Sequence, residues 1–299
     1  MEYRQVGTSD MQVSALVLGS WQFGEASWGL TEENELISVV HKALDAGINM
    51  IDTAWVYAKG KSEEIIGEAI KGNRERVFIA TKCLPRPERV REQLENSLRR
   101  LRVDYVDLYQ VHWLESDGQI KPIIEQFNRF QKEGKIRYIG ASNFSVKNHE
   151  DALKYTPIVS SQPPYSMLKR RIELDIIPFC IEHKISILAY SSLQKGLLTG
   201  KYTGNETFPK GDVRSWDEYF AQRRFKDSVA VVNQLKPFAQ KYGKTLAQFV
   251  LNWTFGRKGI TSAIMGVKNR QQLRDNLGAL GWTIDAQDLQ QIETLLPPV

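Results

Sequence analysis

Eight short apolar segments, enriched in β-branched residues, recur along the chain and limit the folds open to it. These candidate strands span 16–20, 48–53, 77–82, 105–111, 136–141, 158–162, 185–190 and 262–266. Segments with helical periodicity separate most of them, including 32–46, 62–71, 90–101, 120–133 and 172–183. Because doubly wound sheets usually have fewer strands, eight alternating units predict an α/β chain folded as a closed (β/α)₈ TIM barrel.

Two segments fall outside this repeat. Residues 3–13 have the pattern of a β-hairpin that turns near 7–10, and such a hairpin can plug the N-terminal end of a barrel. Residues 200–261 form a long helical excursion between the seventh and eighth strands, with helical pattern over 223–242 and 245–255, and we expect it to overhang the active face. No linker or low-complexity tract marks a second domain, so we expect residues 1–299 to form a single barrel domain.

The composition favours a soluble, cytoplasmic protein. Hydrophobic residues make up 42% of the chain and charged residues 25%, so it can bury a large core beneath a polar surface. No apolar run approaches the length of a membrane span, and the N-terminus lacks the pattern of a signal peptide. Cys83 and Cys180 are too few for a disulfide framework and lack CxxC spacing. We expect Cys83 to have a packing role.

The charged and histidine residues argue against nucleic-acid and metal partners. The formal net charge is +5, a mild basic excess compatible with an anionic ligand or simply with a basic surface. Arginines over 86–102 alternate with glutamates, as is typical of a solvated helix face rather than of a nucleic-acid site. His41, His149 and His183 lack the paired spacing of a zinc site, so no metal is predicted.

Three polar residues close successive apolar strands. Asp52, Lys82 and His112 each follow such a strand, and they lie thirty residues apart. One β/α unit is about thirty residues long, so this spacing puts the three side chains at the same height on neighbouring strands. Because chemistry in such barrels occurs at the C-terminal ends of the strands, we expect them to converge on one pocket.

Tyr57 lies in the loop after Asp52 and completes a group suited to carbonyl reduction. A free phenol has a pKa of about 10, so we expect the Lys82 ammonium to lower the pKa of Tyr57 toward neutrality. Asp52 would hold Lys82 charged, and a neutral His112 could hydrogen-bond a carbonyl oxygen. Alternatively, Asp52 and Lys82 form a structural ion pair, His112 is a core histidine and Tyr57 is a surface aromatic.

Several motifs resemble those of the aldo-keto reductase superfamily, and the resemblance covers essentially the whole chain. Segments 49–57 (NMIDTAWVY), 80–82 (ATK) and 104–113 (DYVDLYQVHW) are similar to those that carry the family's aspartate and tyrosine, its lysine and its histidine. The resemblance implies that Tyr57 is the general acid, that Lys82 and Asp52 tune it, and that His112 orients the carbonyl. It also implies that Trp21, Tyr57, His112 and Trp113 contact the substrate.

The cofactor site is expected at the strand ends as well. No GxGxxG motif follows a strand, so a Rossmann site is not predicted, whereas loops after strands seven and eight usually hold phosphate in such barrels. By resemblance, 140–144 (GASNF) and Gln162 hold the nicotinamide carboxamide and Tyr190 stacks on the ring. The implied cofactor-binding set is Ser20, Trp21, Asp52, Ser142, Asn143, Gln162, Tyr190, Ser191, Leu193, Gly196, Lys201, Arg214, Gly266, Val267, Lys268, Gln272 and Asn276.

One departure from the family pattern bears on the choice of cofactor. Gly266 stands where better-known members have a lysine that contacts the 2′-phosphate of NADP(H), so Lys268 is expected to take that role, with Arg270 as a possible second contact. Alternatively, both cations are solvated residues at the start of a helix. Glycine also occurs at this position in potassium-channel β-subunits, so two functions stay open: an NADPH-dependent reductase of small carbonyl compounds, or a cofactor-binding regulatory module. We expect substrate specificity to reside in loops 22–30 and 114–118.

Overall fold

The chain begins with a two-stranded antiparallel hairpin that closes one end of a barrel. The computed structural model describes all residues from Met1 to Val299. Strand β1 (Tyr3–Gln5) pairs with β2 (Gln12–Ser14). Val6, Met11 and Val13 are fully buried and extend the apolar core inside the barrel. Gly7 has a φ of 53° and lies against the carbonyl of Val159, just before a barrel strand, so the predicted hairpin plug is confirmed.

Eight parallel strands form the closed barrel, and all eight were expected from the sequence. Neighbours along the chain are hydrogen-bonded, and the last strand pairs with the first. The strands are β3 (Leu16–Gly19), β4 (Met50–Asp52), β5 (Phe78–Cys83), β6 (Val106–Val111), β7 (Ile136–Ser142), β8 (Ser160–Gln162), β9 (Ser186–Ala189) and β10 (Ile260–Gly266).

Helices surround the barrel and bury one apolar face each. They are α1 (Glu33–Asp45), α2 (Lys61–Ala69), α3 (Val90–Leu101), α4 (Ile120–Lys132), α5 (Val146–Leu153), α6 (Ile176–Glu182), α7 (Gln222–Lys241), α8 (Leu246–Gly256), α9 (Arg270–Leu277) and α10 (Ala286–Leu295). In α4 the buried residues recur at helical spacing, which directs that face onto the strands. No helix is both long and apolar enough to cross a membrane.

The boundaries of α6 and the role of α8 differ from expectation. The segment predicted as one helix over 172–183 begins with a 3₁₀ turn at Arg171–Glu173, and α6 starts only after Asp175, whose carboxylate caps it. Helix α8 is almost entirely buried and packs on β10, so it is the barrel's own helix between the last two strands. The additions to the repeat in this segment are therefore the loop over 200–217 and α7, which packs on α8 and α10.

Candidate active site

One large cavity opens at the C-terminal ends of the barrel strands. Its volume is about 780 Å³, which lies within the range usual for the binding sites of small ligands and cofactors. Of the residues selected from the sequence, those that line it are Ser20, Trp21, Asp52, Tyr57, His112, Trp113, Ser142, Asn143, Gln162, Tyr190, Ser191, Leu193, Gly196, Lys201, Arg214, Gly266, Lys268, Gln272 and Asn276.

A buried ion pair lies beneath the floor of this cavity. Lys82 Nζ donates to Asp52 Oδ1 at 2.7 Å and to the carbonyl of Thr53 at the same distance, and both charged side chains are almost completely buried. Residues 50–52 of β4 pair with β5, so two neighbouring strands hold the pair together. Burial lowers the pKa of Lys82 from its ordinary value, and the Asp52 carboxylate opposes this shift and favours the charged ammonium.

Tyr57 and His112 face each other above this pair. Their ring centroids are 5.7 Å apart in an edge-to-face arrangement, and Lys82 Nζ lies 5.2 Å from the centroid of the Tyr57 ring. Trp21 stacks on Tyr57, and Trp113 packs on His112 at 4.5 Å between ring centroids. A substrate group bound in the cavity beside these rings would therefore meet a phenol and an imidazole next to aromatic side chains.

The pKa directions agree with expectation for His112 and differ for Tyr57. Burial, and then the charge of Lys82, lowers the pKa of His112 well below its usual value, so the imidazole is neutral at neutral pH. Burial, and then the charge of Asp52, raises the pKa of Tyr57 well above 10. The expected lowering of the phenol pKa is wrong for this structure, because burial disfavours the phenolate and the Asp52 carboxylate repels it.

A chain of hydrogen bonds connects the ion pair to the far side of the cavity. Asp52 Oδ2 accepts from Gln162 Nε2 at 2.7 Å, and the carbonyl of Gln162 accepts from the Ser142 hydroxyl. Asn143 adopts a left-handed conformation with a φ of 58°, donates to the carbonyl of His112 and accepts from the Tyr190 hydroxyl at 2.8 Å. The segment 140–144 at the end of β7 is thus anchored to the strand ends that carry Asp52 and His112.

The loop after β9 has the backbone geometry of an anion site. Ser191, Gln194 and Lys195 all have positive φ, an unfavourable state for residues other than glycine that is usually found at functional sites. The backbone N–H groups of Ser192 and Leu193 donate to no acceptor within the protein. Successive N–H groups that are left free in a turn can form a concavity that attracts phosphate oxygens.

Three cations gather at the other end of the cavity. Burial, and then the charges of Lys201 and Arg214, lowers the pKa of Lys268, although Asp212 acts in the opposite sense. Lys268 Nζ also donates to the carbonyl of Trp28 at 3.0 Å, which holds the side chain over the cavity. Asp212 forms an ion pair with Arg214, whereas Lys201 and Lys268 have no carboxylate partner, so their positive charge is available to a bound anion.

Three sequence-selected residues do not line the cavity. Val267 is fully buried in the apolar core, so only its backbone is available to a ligand. Lys82 lies beneath the cavity and acts on it through its charge. Arg270 does not face the cavity, because Glu35 on α1 accepts hydrogen bonds from both its backbone and its guanidinium.

The Cys83 side chain is fully buried, and burial raises the pKa of its thiol to about 12, as expected for a packing role.

Several residues that line the cavity were not named individually from the sequence. Loop 22–30 was expected to line the site, and it contributes Gln22, Glu25 and Trp28, whereas loop 114–118 contributes none. Gln22 fills the space beside Gly266, where an added Cβ would lie 2.0 Å from its amide nitrogen. This contact joins the loop after β3 to the end of β10 across the closure of the barrel, so no local sequence signal could reveal it. Other missed residues are Gly19, Val56, Ser192, Lys195, Thr199, Thr245, Ala247, Ile264, Met265 and Asp275.

Comparison of the sequence with curated proteins reveals similarity over nearly its full length. The chain is 38% identical to aldo-keto reductase YhdN of Bacillus subtilis, over 99% of this chain and 94% of that protein. It is 31% identical to the NADH-specific methylglyoxal reductase of Escherichia coli, over 95% of this chain and 94% of the relative. It is also 31% identical to a probable voltage-gated potassium channel subunit beta of Arabidopsis thaliana, over 94% and 91% of the two chains.

Solved structures share the same barrel. The glycerol dehydrogenase AKR11B4 of Gluconobacter oxydans superposes with a TM-score of 0.91 at 32% identity, over 100% of this chain and 97% of the other. An aldo/keto reductase of Klebsiella pneumoniae, solved with NADP and acetate, superposes with a TM-score of 0.78 at 28% identity, over 98% and 95%. The model of the aldo/keto reductase family matches residues 15–297, and the chain belongs to this family of oxidoreductases.

Proposed function

We propose that this protein is an NADPH-dependent reductase that converts aldehydes or ketones to alcohols, with Tyr57 as the general acid. The observation that carries the proposal is the position of Tyr57 and His112, which face each other 5.7 Å apart above the buried Asp52–Lys82 pair. A proton donor and a neutral hydrogen-bond donor then meet the same carbonyl oxygen.

The polar groups of the cavity fit a nicotinamide dinucleotide. Ser142, Asn143 and Gln162 would hold the carboxamide, and Tyr190, which borders the same cavity, would lie against the ring. The unpaired N–H groups of Ser192 and Leu193 suit the pyrophosphate. When bound, the cofactor supplies the hydride that reduces the carbonyl carbon.

The protein's own groups manage the proton. Because the pKa of Tyr57 is raised, its phenol is protonated at neutral pH and is in the form that a general acid needs. As the proton leaves, negative charge develops on the phenol oxygen, and the nearby Lys82 ammonium stabilises that charge. His112 is neutral and donates one hydrogen bond, which holds the substrate oxygen within reach of Tyr57.

The proposed preference for NADPH rests on the three cations at the adenosine end. The 2′-phosphate that distinguishes NADPH from NADH carries close to two negative charges, and Lys201 and Lys268 would offer it positive charge, with Arg214 beside them paired to Asp212. The NADP complex of the Klebsiella pneumoniae structure supports this choice, and the NADH-specific relative of Escherichia coli makes it a point to be measured.

We further propose that the substrate is a small carbonyl compound with an apolar or aromatic body. Trp21, Trp28 and Trp113 flank the catalytic rings, and the edge of Trp28 meets Trp21 at 5.2 Å between centroids. Aromatic walls of this kind bury apolar surface while leaving few polar groups to select a particular substrate.

We also propose that the protein is located in the cytoplasm. Cys83 and Cys180 are buried and form no disulfide, which suits a reducing compartment.

A regulatory module that only binds cofactor is the second candidate, favoured by the similarity to the potassium channel subunit. The complete catalytic group favours turnover instead. The test is steady-state oxidation of NADPH by the purified protein with a panel of aliphatic aldehydes, aromatic aldehydes, ketones and sugars. Multiple turnovers that Tyr57→Phe abolishes would support the reductase. Tight cofactor binding with at most one turnover for every substrate would instead favour the regulatory module.

A further inference from the structure

A second buried carboxylate lies close to the catalytic lysine, outside the cavity. The Glu63 side chain of α2 is 0% exposed. Its Oε1 accepts a hydrogen bond from the Thr81 hydroxyl at 2.7 Å, and Thr81 directly precedes Lys82 on β5. The negative charge of Glu63 also acts to raise the pKa of Lys82. Glu63 is thus tied to the strand that delivers the catalytic ammonium.

Arg100 of α3 connects this carboxylate to the loop that carries Tyr57. One guanidinium nitrogen, Nη1, lies 3.2 Å from Glu63 Oε2 and 3.2 Å from the backbone carbonyl of Trp55. The guanidinium also stands over the Trp55 ring at 5.6 Å from its centroid. Trp55 is held from its other side because its N–H donates to the carbonyl of Lys82 at 3.1 Å.

The Tyr57 loop needs such support. Ala58, Lys59 and Gly60 follow Tyr57 with φ values of 47°, 55° and 97°, so three successive residues are left-handed. Two of them carry a side chain, and such conformations persist only where the surrounding structure enforces them. Gly60 also leaves the space that Arg100 occupies, because an added Cβ would lie 2.2 Å from the guanidinium carbon.

We propose that Glu63 and Arg100 are positioning residues for the reaction: they fix the Tyr57 loop against the strand that carries Lys82. Neither residue lines the catalytic cavity, so both act through Trp55 and Thr81. The inference rests on the proposed reductase function, in which the distance between the Tyr57 phenol and the Lys82 ammonium matters. Small displacements of catalytic groups lower turnover without affecting parts of the site that bind cofactor.

A matched pair elsewhere in the barrel provides the control. The Arg74 side chain is 19% exposed and forms an ion pair with the Asp107 carboxylate, which is 2% exposed. The Arg100 side chain is 17% exposed and pairs with Glu63 in the same way. Arg74 also donates to backbone carbonyls and stands over the ring of Tyr105. Its contacts reach the start of β5 and of β6, at the end of the barrel away from the cavity. Arg74→Met therefore removes a half-buried arginine with the same kinds of contacts without touching the Tyr57 loop, although Asp107, unlike Glu63, keeps a second ion pair with Arg137.

The experiment compares Arg100→Met with Arg74→Met in the full chain, at a temperature where circular dichroism shows both folded. Both should lower the melting temperature. Only Arg100→Met should lower kcat for a good aldehyde, by about 10- to 100-fold, while the NADPH dissociation constant stays within about twofold of the parent. Arg100→Lys should recover part of the loss, since its ammonium can still reach the Trp55 carbonyl.

A second measurement does not depend on turnover. Hydrogen exchange of the backbone amides over 54–60 should be faster in Arg100→Met than in Arg74→Met, because the left-handed turn loses its support. Glu63→Gln, in which the new side chain is nearly identical in size, should show a smaller fall in kcat and a smaller increase in exchange. If Arg100→Met does not fold, the Glu63→Gln variant provides the test. Parent-like kcat and exchange in Arg100→Met, or equal losses in both methionine variants, would overturn the proposal. If the proposed reductase function is wrong, the parent protein itself will reduce no carbonyl compound, and this result is distinct from any difference between the variants.

Discussion

Asp52 uses its two carboxylate oxygens for different partners: Oδ1 accepts from Lys82 Nζ and Oδ2 accepts from Gln162 Nε2, each at 2.7 Å. The first partner is the ammonium beneath Tyr57, and the second is an amide that borders the expected nicotinamide site. One side chain on β4 thereby fixes the proposed catalytic ammonium on β5 and a cavity-lining amide on β8. Disturbing Asp52 or either partner should affect both functions.

Replacing Lys82 with methionine should cost both stability and activity. The change leaves the Asp52 carboxylate buried without its ionic partner, and breaking a buried ion pair in this way costs about 3–5 kcal/mol of unfolding free energy. Carbonyl reduction should be largely lost because no charge stabilises the phenolate as it forms. Urea denaturation and steady-state kinetics measure the two effects. Lys61→Met, at an exposed ion pair, should change stability by less than about 1 kcal/mol.

Replacing Tyr57 with phenylalanine should separate chemistry from binding. The variant loses the proton donor but keeps the ring that packs against Trp21 and His112, so folding should be preserved. We expect turnover to fall by roughly 10²- to 10⁴-fold, the usual contribution of a positioned general acid. The NADPH dissociation constant, titrated by tryptophan fluorescence, should barely change. Near-parental turnover in the folded variant would remove Tyr57 from the mechanism.

The pH dependence of reduction should be flat through the neutral range. The pKa of Tyr57 is raised, so its phenol stays protonated until alkaline pH, and the pKa of His112 is lowered, so its imidazole stays neutral until acidic pH. We expect kcat/KM for reduction to vary little between roughly pH 6 and pH 9. Oxidation of the alcohol needs the phenolate and should accelerate as the pH rises. An inflection near pH 6.5 that His112→Gln removes would contradict the assignment of a neutral histidine.

The order of elements and the three strand-end residues could be predicted because their signals are local. Asp52, Lys82 and His112 each end an apolar run, and the constant length of the β/α unit fixes their relative height. The pKa of Tyr57 could not be predicted in the same way. Its direction depends on how much water the folded cavity excludes, and that quantity has no counterpart in the spacing of residues along the chain.

The difference between Lys268 and Arg270 likewise depends on the folded structure and not on local sequence. Both are cations near the start of α9, and the sequence favoured Lys268 for the 2′-phosphate while leaving Arg270 open as a second contact. In the structure Glu35 of α1 takes the Arg270 guanidinium away from the cavity, whereas Lys268 is drawn over it by the carbonyl of Trp28. These partners lie more than 200 residues away along the chain. Contacts of that kind become visible only after the barrel closes.

This difference gives a paired test of cofactor choice. We expect the parent to bind NADPH more tightly than NADH, and Lys268→Glu to erase or invert that preference while leaving NADH binding nearly intact. A hydrogen bond to a charged group contributes about 1.5–3 kcal/mol, so its loss should raise the NADPH dissociation constant roughly 10- to 150-fold. The introduced carboxylate adds repulsion, which should be strongest at low salt.

Arg270→Met is the matched control, because Arg270 lies two residues from Lys268 but is bound to Glu35. Its NADPH dissociation constant should stay within about twofold of the parent. The residual affinity of Lys268→Glu should come from Lys201 and Arg214, whose charges act at the same place. Fluorescence titration of both cofactors with all three proteins decides the question. Equal affinities for NADPH and NADH in the parent, or equal losses in the two variants, would reject Lys268 as the residue that recognises the 2′-phosphate.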